Sequence, residues 1–366
     1  MIPLSIPEIT GKEILYIKEC LDSGWLSSAG PYVKDFEDRF KEYVGAKFAI
    51  ATINGTSALH LALMSMGIGQ GDEVIVPSLT FAATVNAIKY IGAEPVFVDV
   101  CRDTYVMDSG RLEELISNKT KAIMPVHLHG QPVEMDEVIA IAHKYGLKVV
   151  EDAAQSLGSK YKEKYTGTIG DIGCFSFNGN KIITTGSGGM LVTDNEEFAN
   201  HAFYLSNQAK DPSCKGQFCH SEVGYNYRMS SINAAVGLAQ IKDIGRRIQI
   251  KKRISASYDE KLKLMDHIVL PCRKDCCETV FWLYPLLVKD ESSMSELIDQ
   301  FTKKGIETRP FFMPLHFMKP YSYHRHVGLN NTEYIYRHGV NLPSALAIDD
   351  QDINKVCQVI SNVKKS

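Results

Sequence analysis

Short apolar runs alternate with stretches of helical spacing through roughly the first 200 positions. AIATINGTSALHLALMSMGI passes from a brief strand into a helix with one apolar face. DEVIVPSLTFAATVNAIKYIGAEPVFVDV spells strand, helix and strand in about thirty residues, a βαβ unit whose right-handed crossover implies parallel pairing. KAIMPVHLHGQPVEMDEVIAIAHKYGLKVVEDAAQS repeats the pattern, and GCFSF and GGMLVTD add two more strands. An α/β architecture with a large, mostly parallel sheet is therefore expected from about residue 45 to 200. Ahead of it, Gly11 to Leu21 reads as a helix, Trp25 to Pro31 as a serine and glycine loop, and a second helix starts near Val33.

Beyond the sheet, a helix is expected from about Ser231 and a long basic one from Ile241 to about Leu262, whose RRIQIKKR charges predict a solvated face. A strand at ETVFWLYPLLV near residue 280 and helices at SSMSELIDQFTKKGI and QDINKVCQVISNVKK suggest a smaller α+β domain. The expected division is residues 1–245 and 246–366. RPFFMPLHFMKPYSYHR holds too many prolines and aromatics for a regular element and is expected at the mouth of a site.

One basic residue demands a chemical explanation. In GDIGCFSFNGNKIITTGSGGM, Lys181 follows a buried strand and precedes glycines that allow close backbone approach. A core-facing ammonium must find partners or lose its proton, and the neutral amine is a nucleophile toward carbonyls. The plainer reading buries only the stem and leaves the head in solvent. Asp152 ends the apolar strand LKVVED, where a parallel strand delivers side chains to a crevice, and Gln155 follows on the same edge. Asp152 could simply cap a helix, but beside a pyridine ring it would keep the ring nitrogen protonated. Lys181 with Asp152 is the pair that pyridoxal phosphate requires.

Gly55, Thr56 and Ser57 stand at a strand-to-helix junction, where unpaired amides suit a phosphate or a hydroxyl acts only as a cap. Phe81 occupies another such turn and serves either as core or as a surface for a flat ring. His127 and His129 have strand-like spacing, and packed or hydrogen-bonded roles are preferred over metal ligation. No GxGxxG follows the first strand and no GxxxxGK[ST] occurs, which removes the main support for dinucleotide and P-loop readings.

Forty basic residues against forty-three acidic ones give a formal charge of -3, so no global field recruits nucleic acid or an anionic membrane. The first fifteen residues lack the pattern of a signal peptide and no run of eighteen apolar residues occurs, so a cytoplasmic protein is expected. Nine cysteines are scattered and mostly expected as free thiols. Cys214, Cys219 and His220 form one local group and Cys272, Cys276 and Cys277 another, neither with the spacing of a structural zinc site, so no metal is expected.

GWLSSAGPYVKDFE, NGTSAL, PSLTFAAT, PVHLHGQPVEMD, EDAAQSLG, SFNGNKIITTGSGG, GYNYRMSSINAAVG and ETRPFFMPLH together resemble the sugar aminotransferases of the DegT/DnrJ/EryC1/StrS family over nearly the whole chain. The resemblance implies the aspartate aminotransferase type of fold, pyridoxal 5'-phosphate fold type I. It places the Schiff-base lysine at Lys181, the pyridine-nitrogen carboxylate at Asp152, the stacking aromatic at Phe81 and a 3-hydroxyl contact at Gln155. Phosphate contacts fall at Gly55, Thr56 and Ser176, with Asn226 reaching across from the other subunit of a homodimer with shared sites. Trp25, Ser27, Ser28, Arg228, Arg309 and His316 become substrate-binding candidates.

The SFNGNKIITTG and ETRPFFMPLH stretches are most similar to members of the perosamine-forming type, which aminate C4 of a nucleotide-linked 4-keto-6-deoxy sugar. Glutamate is the implied donor, pyridoxamine phosphate the implied alternate form, and GDP is slightly favoured over UDP. Amination at C3, or of a UDP-linked N-acetylated sugar, stays open. Many relatives carry histidine at Asn178 and glutamate at Ser187. Family dehydratases, which use pyridoxamine phosphate, have histidine in place of Lys181, and a non-enzymatic regulator with this fold is expected to lack the Lys181 and Asp152 pair.

Overall fold

The structure, a computed structural model, describes residues 1–211, 213–214 and 219–362. The large sheet is built from β1 (Phe48–Thr52), β2 (Glu73–Pro77), β3 (Glu94–Val98), β4 (Thr120–Ile123) and β5 (Lys148–Asp152). After the short hairpin β6 (Lys160–Tyr161) and β7 (Lys164–Tyr165), it is completed by β8 (Ile172–Ser176) and β9 (Gly189–Thr193). The spatial order is β1-β9-β8-β5-β4-β2-β3. From β8 to β3 the neighbours are parallel, while β9 is antiparallel to both β8 and β1. The chain thus leaves the carboxyl end of β8 and turns back beside it, and Lys181 lies in that turn.

Around this sheet pack α1 (Lys12–Ser23), α2 (Pro31–Val44), α3 (Gly55–Ser65), α4 (Ala82–Tyr90), α5 (Met135–Tyr145), α6 (Glu196–Ser206) and α7 (Ser231–Ile241). Alternation along β8 separates two cores. Cys174 joins Leu61, Ile88 and Leu205 of α3, α4 and α6, whereas Phe175 joins Phe36 and Phe40 of α2. The ring of Phe40 lies 5.0 Å from that of Phe175 and 5.3 Å from that of Phe177, both edge-on, so the approach to Lys181 rests on a close-packed aromatic block.

The C-terminal part is the expected smaller α+β unit. Helix α8 (Ile244–Leu262) leads to β10 (Ile268–Val269), β11 (Cys277–Glu278), β12 (Tyr284–Val288), α9 (Ser292–Lys303), β13 (Arg309–Pro310), α10 (Asn330–His338), β14 (Gly339–Leu342) and α11 (Asp350–Asn362). Its antiparallel sheet has the order β10-β12-β14-β13, and β11 instead pairs with β6. Tyr258, Leu286, Phe301, Val340 and Val356 fill its core.

Three local expectations are corrected. The strand expected near residue 280 begins at Tyr284, because the preceding segment spends hydrogen bonds on the large sheet's loops: Val280 N donates to Ser159 Oγ at 2.9 Å and Trp282 N to His129 O at 2.9 Å. Gly130 makes this approach possible, since its φ is +103° and an added Cβ would lie 2.1 Å from Val280 O. The long basic helix begins at Ile244, after Lys242 and Asp243, and its charges do not form one solvated face. Arg247 and Lys251, one turn apart, point inward and are buried; Arg246 and Arg253 stay exposed. Finally, Cys214 and Cys219 are joined as a disulfide, brought together where Asp211 N donates to Cys219 O and Lys210 bridges His220; the other cysteines are free thiols. Among the described residues, no helix is long and apolar enough to cross a membrane.

Candidate active site

The carboxyl ends of β5 and β8, the first turns of α3 and α4, and the loop after β8 enclose a cavity of about 300 Å³. Gly55, Thr56, Phe81, Asp152, Gln155, Ser176 and Lys181 all line it. The loop that presents Lys181 is closed on itself: Phe177 N donates to Gly188 O at 2.8 Å and Phe177 O accepts from Thr185 N at 3.0 Å. Ile182 and Ile183, both buried, pin the chain just after the lysine. Lys181 itself is half-buried, with its stem in the wall. Burial pushes its pKa down to about 7, and the charge of Asp152 pulls the other way.

Asp152 is held from two sides, one oxygen accepting from Thr84 Oγ1 at 2.7 Å and the other from Ala154 N at 3.1 Å. Burial raises its pKa despite these donors and the charge of Lys181. A carboxylate with raised proton affinity is matched to a protonated ring nitrogen. Gln155 Oε1 accepts from His129 N at 2.9 Å, which aims the amide nitrogen, a donor, away from that bond. His129 is buried with neither ring nitrogen hydrogen-bonded, edge-on to Phe311 and stacked on Phe312; burial, then the nearby Lys181 charge, pushes its pKa down to about 3. It is a neutral packing residue at ordinary pH.

Behind Asp152 the neighbouring strand residue faces the opposite way. Glu151 accepts from Gly167 N at 2.7 Å, from Ile169 N and Gly170 N at 2.6 Å, and from His127 Nε2 at 2.8 Å. Burial alone would raise its pKa, but the His127 hydrogen bond and the amides outweigh it and the net direction is down. The sign follows directly. Glu151 stabilises the fold fully above the ordinary value of 4.5, and that stabilisation is lost as pH falls through the lower folded value. Denaturation midpoints measured across this range are expected to fall with pH, and Glu151→Gln to be less stable at neutral pH with a flatter slope. An equally steep slope in the variant would exclude Glu151 as its source.

At the opposite end of the cavity, Asn54 caps α3, its Oδ1 accepting from Ser57 N at 2.8 Å. The earlier amides at Gly55 and Thr56 belong to the first turn, where helices lack internal partners. Gly55 also passes close to Ser176; a Cβ on it would stand 3.0 Å from that of Ser176. Phe81 is exposed despite its size, tilted toward Phe312 at 5.7 Å across the cavity. An amine, a buried carboxylate, an exposed flat ring and a helix-start anion cradle fit pyridoxal phosphate end to end.

The remaining candidates are placed differently. Arg309 is exposed and lines the cavity. Trp25, Ser27 and Ser28 lie on the loop between α1 and α2, outside the lining, where Ser27 O accepts from Ser231 N. Arg228 pairs with Glu37 at 2.7 Å, and His316 bonds Ser78 through Nδ1 at 2.7 Å; neither lines the cavity. Asn226 is exposed and bridged to Asn207, again outside it. Asn178 and Ser187 are part of the lining, with Ser187 Oγ donating to Ile53 O at 2.7 Å. The sequence reading missed Trp282, whose ring centre lies 3.7 Å from Lys181 Nζ. No local pattern marks it, because a tryptophan before a strand reads as core.

The fold and the cavity define a fold type I pyridoxal-phosphate enzyme. The family model for the DegT/DnrJ/EryC1/StrS aminotransferase family matches residues 7–361, and the chain belongs to that family. It is 41% identical to the GDP-perosamine synthase of Caulobacter vibrioides over 99% of this chain and 98% of that protein. Among solved structures it is similar to the aminotransferase TlmJ from Streptoalloteichus hindustanus, with a TM-score of 0.93, 28% identity and 98% of each chain covered. The sugar aminotransferase Spr1654 from Streptococcus pneumoniae, described as putative and solved in a PLP-form, aligns with a TM-score of 0.92 at 28% identity over 100% of both chains. The protein is thus a pyridoxal-phosphate-dependent aminotransferase.

Proposed function

We propose that this enzyme transfers the amino group of glutamate to C4 of a nucleotide-linked 4-keto-6-deoxy sugar, with GDP slightly favoured over UDP. The observation that carries the reading is the cavity itself, which joins Lys181 and Asp152 to a mouth lined by neutral Asn178, Asn180 and Ser187 and by cationic Arg309. The chain's likeness to a GDP-perosamine synthase supports the GDP-linked sugar. When bound, pyridoxal phosphate supplies an aldehyde that bonds amines and a ring that draws electron density from the carbon losing a proton.

The chain's residues supply the rest. Asp152 holds the proton on the ring nitrogen, and Gly55, Thr56 and Ser176 hold the phosphate at the start of α3. Phe81 covers one face and Gln155 donates to the ring hydroxyl. Lys181 Nζ, neutral, would take a proton from the donor's α-carbon and, as an ammonium, would deliver it to the carbon that was the cofactor's aldehyde. Arg309 suits an anion of either partner, a carboxylate or a diphosphate. On the same reading residues 1–245 form the cofactor-binding domain and 246–366 the small one, and the enzyme works in the cytoplasm as a homodimer. Asn226, Arg228, Trp25, Ser27, Ser28 and His316 lie outside their own cavity, so we assign Asn226 to the partner's phosphate and keep the others as candidates for contacts made on assembly.

The test offers purified enzyme GDP- and UDP-linked 4-keto-6-deoxy sugars separately with glutamate and locates the new carbon–nitrogen bond by NMR. Amination at C4 is expected, with the free sugar a poor substrate because it lacks the remote contacts that orient it. Amination at C3 would reject the position, and a UDP preference would correct the nucleotide. Assaying fractions separated by sedimentation tests the dimer, which activity in a monomer fraction would overturn.

A further inference from the structure

We propose that Trp282 is a positioning residue that holds the ammonium form of Lys181 against its indole face whenever the amine is not bonded to the cofactor. The inference rests on pyridoxal phosphate chemistry but on no particular sugar. Lys181 Nζ lies 3.7 Å from the centre of the ring, the geometry in which a cation is attracted to an aromatic face. The ring is not free to leave. Its Nε1 donates to Asn180 O at 2.6 Å, one residue before the lysine, and the same oxygen accepts from Ser5 Oγ at 2.8 Å.

Two elements fix the tryptophan backbone as well. Trp282 N donates to His129 O in the loop after β4, and Trp282 O accepts from Lys251 Nζ of α8 at 2.8 Å. The buried Lys251 amine also donates to Ser344 O, so one inward charge of the basic helix ties the wall of the site to the small sheet. Trp282 is buried and lines the cavity together with Lys181.

The other groups facing Lys181 are few. Asp152 comes from β5, neutral His129 from the loop after β4, and Asn178 and Asn180 from the lysine's own loop. Among the described residues Asp152 is the sole carboxylate in the lining, where the other charged side chain besides Lys181 is the exposed Arg309, and a ring nitrogen would claim Asp152 once the cofactor is bound. Lys181 must nevertheless alternate between a neutral amine, which bonds and takes protons, and an ammonium, which gives them. A second carboxylate would lock it charged, and an aliphatic wall would keep it neutral. An aromatic face favours the ammonium without accepting its proton.

The test measures the pKa of Lys181 in cofactor-free protein, from the pH dependence of its acylation by acetic anhydride, read on the lysine's peptide by mass spectrometry. Burial already pushes this pKa down to about 7. Trp282→Leu is expected to lower it further by about one unit, a tenfold change in the proton equilibrium, and Trp282→Phe by less because its face is weaker. The acid limb of the kcat profile should move in the same direction. An unchanged or raised pKa in both variants would overturn the proposal, since a tryptophan that only excludes water would let solvent raise it when removed. Should the leucine variant fail to fold, the phenylalanine variant decides alone by the same criterion. A shifted pKa in an enzyme that does not aminate the sugar would leave this inference standing and sink only the substrate assignment.

Discussion

Lys181→Ala is expected to lower transamination by at least about 10⁴-fold in kcat while leaving the fold intact. Two functions vanish with one side chain: the amine that bonds the cofactor and the group that carries the substrate proton. Neither can be taken over by a neighbour. His129, close to Lys181, is neutral and held between Phe311 and Phe312, and Lys251 is occupied with the carbonyls of Trp282 and Ser344. Stability should hardly change, because the substitution removes a half-buried charge that burial disfavours and leaves Ile182 and Ile183 in place. Steady-state turnover together with a thermal melt checks both halves. A folded variant that still turns over would sink the assignment of Lys181.

Asp152→Asn is expected to keep the cofactor but to lose roughly 10²- to 10³-fold in rate, the usual scale for removing one preorganised electrostatic partner. The amide can retain the bonds to Thr84 Oγ1 and Ala154 N, so the cavity should keep its shape. It cannot carry the negative charge that keeps the ring nitrogen protonated, so the ring would withdraw electrons poorly as the donor's proton leaves. Turnover at saturating cofactor, with cofactor content measured by absorbance, separates the effects. Near-normal turnover would exclude the charge as the reason for Asp152, and loss of cofactor would make it a binding residue instead.

The two largest effects concern residues that the chain announces by itself. Lys181 stands out because a buried strand followed by glycines leaves a charge nowhere ordinary to go, and Asp152 because an apolar parallel strand that ends in acids delivers them to a crevice. Strand-to-helix junctions exposed Gly55, Thr56 and Phe81 in the same way, since local periodicity determines where strands end and helices begin. All of these line one cavity. Arg228 and His316 were singled out on motif alone, and the structure ties them to Glu37 and Ser78. Their surroundings come from residues 191 and 238 positions away, beyond any local pattern.

What the sequence by itself determined is the order of elements, the mostly parallel sheet and the placing of Lys181 and Asp152 at its carboxyl edge, because period and residue type are properties of a short stretch. The tertiary structure alone decided which charges are buried and what covers the amine. The run RRIQIKKR looks uniformly solvated until α8 is enclosed by the N-terminal segment and the small sheet, which turns Arg247 toward Glu8 and Lys251 toward Trp282. Trp282 looks like the start of a strand until Gly130 lets its segment approach and its backbone bonds to the loops of the large sheet. Burial is a relation between distant surfaces, and its electrostatic cost is set by whichever surfaces meet, so neither the wall over Lys181 nor the inward lysine that anchors it could be read before those surfaces were brought together.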